Sequence, residues 1–272
     1  MKSDFVLKKS GMLTYLSIPE FEATGLVQHG FSTRLGGYSQ PPYASLNLGL
    51  HVGDEKETVI KNRQSFGQVL GISWEKMVAA EQIHGDAIHI VTEADIGKGA
   101  ADYATAIKAT DALITDQSGI PLSTYYADCV PIFFLDPVTP AIGLAHAGWK
   151  GTVARIGAKT LRKMNEVYGS KAKNCLIAIG PSIGPCCYEV DEYVRNKFAE
   201  QSWQLEEIFK PEKQKWRLDL QKANRLALLE AGALPENIFI SNYCTRCRTD
   251  LFFSYRAEEG KTGRMAAVIM LK

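Results

Sequence analysis

Three short stretches of the chain gather side chains able to bind a metal or attack an electrophile. They are Glu81-Gln82-Ile83-His84-Gly85-Asp86, Tyr126-Ala127-Asp128-Cys129-Val130-Pro131 and Ala145-His146-Ala147-Gly148-Trp149-Lys150-Gly151. Zinc accepts imidazole and thiolate, and a catalytic zinc keeps three protein ligands with a fourth position open. His84, Cys129 and His146 make a set of that kind, two imidazoles and one thiolate. They stand 45 and 17 positions apart, unlike a zinc finger, so spacing alone does not bring them together. On residue chemistry two other readings stay open. One is a pair of loop histidines beside a buried thiol; the other is a Cys129 nucleophile with His84 or His146 as its base.

Each stretch begins or ends a run of strand composition, where a sheet can hold side chains over a pocket. Such runs span Leu13 to Ile18, Leu26 to Thr33, Met77 to Ala80, Ala87 to Val91, Ala112 to Thr115 and Leu122 to Tyr126. Further ones span Pro131 to Leu135, Ala141 to Ala145, Leu176 to Ile179, Ile238 to Ile240 and Met265 to Leu271. Helical periodicity follows Asp54, whose spacing to Glu57 suits a capping box, and stops at Gly71. It returns over Thr152 to Tyr168, Asp191 to Glu200 and Leu220 to Ala231. The segment from Thr92 to Ala109, rich in Ala, Gly and Asp, reads as a loop. Strands outnumber helices and several are joined by short turns, which predicts mixed or antiparallel sheets covered by helices, an α/β class. There is no GxGxxG or GxxxxGK[ST], so a Rossmann or P-loop reading is poor. With no linker and no repeat, residues 1–272 are expected to form a single domain.

The 31 Lys plus Arg nearly balance the 30 Asp plus Glu, leaving no global field for nucleic acid or an anionic membrane. No long apolar run predicts a membrane span, and the N-terminal MKSDFVLKKSGML lacks the core of a secretory signal. A cytoplasmic protein, monomeric or a small homo-oligomer, is expected. Six cysteines are too sparse for a disulfide scaffold. Cys244 and Cys247 form a CxxC that could join Cys187 in a second, structural metal site, but the sequence suggests no fourth ligand.

The motifs QIHGD, ADCVPIFFLD, AHAGWKGT, IGPSIGPCCYEV and FFSYRAEEGKTGRMA resemble the YfiH/YlmD family. FSTRLGGYS and SLNLGLHVGD extend the match over nearly the whole chain, and the YlmD branch is the nearer one. The family was described first as laccase-like polyphenol oxidases and later as purine nucleoside phosphorylases. The resemblance implies a layered sandwich of mixed β-sheets and a zinc held by His84, Cys129 and His146, which are also the expected catalytic residues. It implies phosphate-dependent cleavage of adenosine, inosine, guanosine or methylthioadenosine to free base and pentose 1-phosphate, with adenosine deaminase as a side activity.

Within that reading, Arg34, beside two glycines in FSTRLGG, suits phosphate because a guanidinium fork matches its oxygens. Lys150 is a second anion-binding candidate. Asn47 can donate to and accept from a sugar or purine edge. Gln82 lies two residues before His84 and so shares its side of an extended segment. Asp128 and Asp86 can orient a ligand imidazole or act as acid or base, although a plain turn role suits Asp86 better. His29, His51 and His89 have no evident metal partner and read as structural. Copper is the rival metal, for a polyphenol oxidase, but five histidines are too few for a multicopper centre. A cysteine hydrolase using Cys129 and a binding module without turnover are the other rivals.

Overall fold

The computed structural model describes residues 4–272; residues 1–3 of the expected 1–272 unit lie outside them. Period-2 alternation dominates the longest strands, and it sorts their side chains into different layers. In Met265–Leu271, residues 265, 267, 269 and 271 enter one core cluster while Ala266 and Val268 enter another. In Val130–Asp136, Phe133 and Leu135 face that first cluster, and Val130, Ile132 and Phe134 face a third. Both of these strands are therefore sealed on both faces, and only an apolar run can occupy such a position.

The first sheet runs in the order Val6–Ser10, Leu13–Ser17, Val27–Ser32, Met265–Leu271, Leu122–Tyr126, Val78–Ala79. The second runs Ile238–Ile240, Leu176–Ile179, Val130–Asp136, Ala141–Ala147, Ala112–Thr115, Ile88–Ile90. Both are mixed: their central pairings are antiparallel, and each ends in a parallel pair. The sheets pack face to face through Phe31, Tyr126, Phe133, Leu144 and Ile269. Lys56–Leu70 covers the outer face of the first sheet with Phe66 and Leu70. Ile156–Tyr168 and Leu220–Glu230 cover the second with Ile156, Leu161, Met164 and Leu228. The layers thus run helix, sheet, sheet, helix, the expected sandwich of mixed sheets.

The sequence reading omits the edge strand Val6–Ser10, and three further details differ from it. The predicted helix from Thr152 is two pieces, Trp149–Val153 and Ile156–Tyr168, broken at Arg155, which adopts a left-handed φ of 59°. Asp54 does not cap the helix that follows, because its carboxylate accepts from the Asn47 amide at 2.9 Å and the Glu55 amide at 2.9 Å. A small third sheet of Glu189–Val190, Lys215–Leu218 and Phe209–Glu212 carries charged residues at alternating positions and has weak strand character in sequence. Among the described residues no helix is long and apolar enough to cross a membrane.

Candidate metal centre

Three chain segments meet at one end of the paired sheets. Ala127-Asp128-Cys129 carries the chain from the first sheet, at Tyr126, to the second, at Val130. His146 lies inside Ala141–Ala147, which runs two residues further than its apolar pattern predicts. His84 sits in the connection after Val78–Ala79 with a left-handed φ of 62°. Their ligand atoms all lie within 4.8 Å of one another, and the two imidazole centroids are 4.9 Å apart. The sheets have closed the 45- and 17-residue separations.

Asp111 holds the arrangement and carries no signal in the sequence. It precedes Ala112–Thr115, whose register against Ala141–Ala147 sets it beside His146, and the His146 amide donates to its carbonyl at 2.7 Å. One carboxylate oxygen accepts from His146 Nδ1 at 2.8 Å and from the His84 amide at 3.0 Å. The other accepts from the Gly85 amide at 2.7 Å and the Ile83 amide at 3.2 Å. Burial would raise this carboxyl, but the His146 contact and the amide bonds outweigh it and hold it low. An ionised carboxylate only accepts, so Nδ1 carries a proton and Nε2 is the nitrogen left to face a metal.

Burial would likewise raise the Cys129 thiol; instead His146 and His84 bring it down toward thiolate. Burial depresses His146, and Cys129 with Asp111 more than reverses that, so its net shift is upward. A Cβ on Gly148 would stand 2.8 Å from the His84 ring and 3.2 Å from Cys129 Sγ, so the chain here approaches the ligands as only glycine allows. A thiolate, two imidazoles, one of them tautomer-locked, and a glycine cradle fit a transition-metal ion.

A cavity of about 470 Å³ opens over these three residues. Tyr125, Trp149, Tyr188 and Tyr255 are aromatic residues of its wall, and Arg256 and Arg264 supply charge. Arg256 lies 5.2 Å over the Tyr188 ring and Arg264 5.7 Å over Tyr255. His51 also lines it; although the residue is exposed on the cavity side, the protein packed around its ring, with Arg264 next, lowers its pKa to about 4, so it is neutral at pH 7. Its partner ring, Tyr103 at 5.3 Å, comes from the segment read as a loop. The sequence reading takes His51, within SLNLGLHVGD, as structural, and Tyr103 gives no signal there.

The remaining sequence candidates separate by what their polar atoms already hold. Gln82 lines the cavity, with its amide clasped to the Tyr125 backbone by bonds of 2.8 and 2.9 Å. Asp128, left-handed at φ 82°, also lines it, but its carboxylate accepts from Thr245 Oγ1 at 2.6 Å and the Arg256 amide at 2.7 Å. Asn47 is fully buried and braces the Arg264 amide at 2.9 Å. Arg34 is absent from the cavity wall: it pairs with Glu258 at 3.0 Å and donates to the carbonyls of Ala44 and Thr249. Lys150 is exposed, lies over Trp149 and is likewise not a wall residue. Asp86 pairs with Lys159 at the surface. Arg34 and Lys150, the phosphate candidates of the sequence, thus stand outside this wall, whose charge is that of Arg256 and Arg264, while the Arg34 guanidinium is engaged by Glu258, Ala44 and Thr249.

A family model described as multi-copper polyphenol oxidoreductase laccase matches residues 28–272. The purine nucleoside phosphorylase YlmD of Bacillus subtilis is 41% identical over 244 residues, 89% of this chain and 88% of that protein. Its namesake from Geobacillus stearothermophilus is 43% identical over 249 residues, 88% of each. The crystal structure of YlmD from Geobacillus stearothermophilus has a TM-score of 0.93 at 39% identity, covering 98% of this chain and 99% of that one. The Bacillus licheniformis hypothetical protein YfiH has the same TM-score at 41% identity and the same coverage. Sequence and fold agree from end to end, and the chain belongs to the YfiH/YlmD family.

Proposed function

We propose that this chain, acting as one domain, is a zinc-dependent purine nucleoside phosphorylase that releases free base and pentose 1-phosphate, with adenosine deamination as a side activity. The observation that carries the reading is a single cavity, walled by aromatic rings and two arginines, with His84, Cys129 and His146 among its lining residues. Its volume falls in the range of about 300–1,000 Å³ usual for small-ligand sites. Ring faces suit a purine, and guanidinium groups suit a phosphate dianion. The relatives named purine nucleoside phosphorylase support the same class. Adenosine, inosine, guanosine and methylthioadenosine share the purine nucleoside core such a cavity would take.

His84, Cys129 and His146 would hold the metal, which when bound supplies a Lewis acid. Zinc suits two imidazoles and a thiolate, and a multicopper centre needs more histidines than the five in the chain. Arg256 and Arg264 would draw phosphate to the sugar face, where charge grows as the glycosidic bond opens, and fixed charges aimed there lower the barrier. His51, neutral at pH 7, would donate to or accept from the nucleoside. Asp111 would keep His146 in one tautomer throughout. The thiolate of Cys129 could also serve as a nucleophile, and a stoichiometric metal on it removes that reading.

Purified protein is expected to release hypoxanthine from inosine only when phosphate is present. Equal release in phosphate-free buffer would make it a hydrolase, and oxidation of phenols without nucleoside cleavage would make it a polyphenol oxidase. Cys129→Ala should lose both the metal and turnover; full activity in that variant overturns the site. Inosine formed from adenosine without phosphate measures the deaminase side reaction.

A further inference from the structure

The fold places a second set of metal-competent side chains behind the cavity wall. Cys186, Cys187, Cys244 and Cys247 have all four sulfurs within 4.8 Å of one another. All four are free thiols, and none contributes to the lining of the cavity. Cys247 Sγ stands 3.5 Å from Cys186 Sγ and 3.4 Å from Cys187 Sγ. A tetrahedron with zinc–sulfur bonds of about 2.3 Å has edges of about 3.8 Å. The sulfurs are thus spaced as ligands of one ion, well beyond the ~2.05 Å of a disulfide.

We propose that Cys186, Cys187, Cys244 and Cys247 bind one structural zinc ion as a four-thiolate site, separate from the His84–Cys129–His146 centre. Four thiols bind one Zn²⁺ and release four protons, leaving two net negative charges on the site. Its surroundings suit that charge. The Gly184 amide donates to Cys244 Sγ at 3.2 Å, and a Cβ on Gly184 would stand 3.2 Å from that of Cys244. Arg246 lies within the Cys244–Cys247 motif, and Arg217 donates to the Cys186 carbonyl at 3.3 Å. The adjacent cysteine pair is the fourth-ligand solution that a CxxC scan overlooks, because both of its members turn to one side.

The site joins two segments distant in sequence that both build the cavity. Ile183 and Tyr188 flank one cysteine pair, and Tyr255 and Arg256 follow the other. Between them the protein offers a bridge from Ser182 to Cys244 and the bonds of Asp128 to Thr245 and to the Arg256 amide. A zinc here would clamp the cavity wall while leaving the reaction to other residues. The inference stands whether or not the cavity takes nucleosides.

The test is metal content by mass spectrometry on protein purified without chelators. Wild-type protein should hold two zinc ions per chain, and Cys129→Ala should keep one. X-ray absorption on that variant should show only sulfur neighbours at about 2.3 Å. Cys244→Ser with Cys247→Ser should also retain one, now with nitrogen neighbours. Zinc-free Cys129→Ala protein with a native circular dichroism spectrum would overturn the proposal. So would iron in place of zinc, or a disulfide among the four cysteines found by alkylation under non-reducing, denaturing conditions. If the double variant does not fold, anomalous diffraction at the zinc edge on wild-type crystals decides: a peak among the four sulfurs supports the site, and its absence sinks it.

Discussion

Asp111 is not a wall residue of the cavity, yet four hydrogen bonds converge on its carboxylate and three of them come from the loop that presents His84. Both proposed imidazole ligands are therefore aimed by one buried acid. Asp111→Asn keeps the shape but turns an N–H toward donors that need an acceptor. Loss of such an orienting partner typically weakens metal binding by about 10–100-fold. We expect Asp111→Asn to fall within that range in competition with a chromogenic chelator, while retaining a native circular dichroism spectrum. Unchanged affinity would show that the loop holds His84 without the carboxylate. At this scale residue chemistry offered the two imidazoles and the thiol as one candidate set, and the family resemblance chose it. Asp111 escaped because an aspartate before an apolar strand looks like any turn residue.

At the scale of elements, Lys56–Leu70 shows how a helix does more than cover a sheet. Its apolar face was legible from periodicity, but Arg63 on that helix was not singled out. The Arg63 guanidinium is buried, lies 4.4 Å over Tyr125 and donates to the carbonyls of Leu48, Gly99 and Ala100. It ties the helix to two loops, one of which leads to Tyr103 at the cavity. Burial lowers its pKa, with Tyr125 acting in the opposite direction. Arg63→Met removes the donors and leaves three carbonyls short of partners, at about 1–3 kcal/mol for each buried group left unpaired. We expect the variant to lose at least about 3 kcal/mol in urea unfolding. A loss below about 1 kcal/mol would mean that water replaces the clamp.

For the whole molecule, acid sensitivity follows from a histidine buried without charge. His29 is 6% exposed, its Nε2 accepts the Ile18 amide at 2.9 Å, and burial lowers its pKa to about 4. The unfolded chain returns it to about 6.5. Between those values the unfolded state binds the proton and the folded state does not. Stability is therefore full above about 6.5, falls as the pH drops through the window, and levels off below about 4. From pH 7 to pH 5 the His29 share is about 2 kcal/mol. His29→Gln should remove that share, so its urea midpoint should fall less between the two pH values than the wild-type midpoint does. Equal falls would show that His29 is not held neutral.

The sequence by itself determined most of the core strands and the mixed α/β class, and its family motifs supplied the layered sandwich and the proposed ligands. Alternation of period two is a local property, and a thiolate beside imidazoles limits the metals whatever the fold. Tertiary structure alone decided which of these residues meet. His84 and His146 come together with Cys129 because a three-residue turn crosses between sheets and one strand pairing sets Asp111 beside His146. The same distant packing sets Arg256 and Arg264 at the cavity, pairs Arg34 with Glu258 and closes Cys186 onto Cys247. Such contacts span tens to hundreds of residues, and no local pattern encodes them, because loop crossings and sheet register set them only once the core has packed.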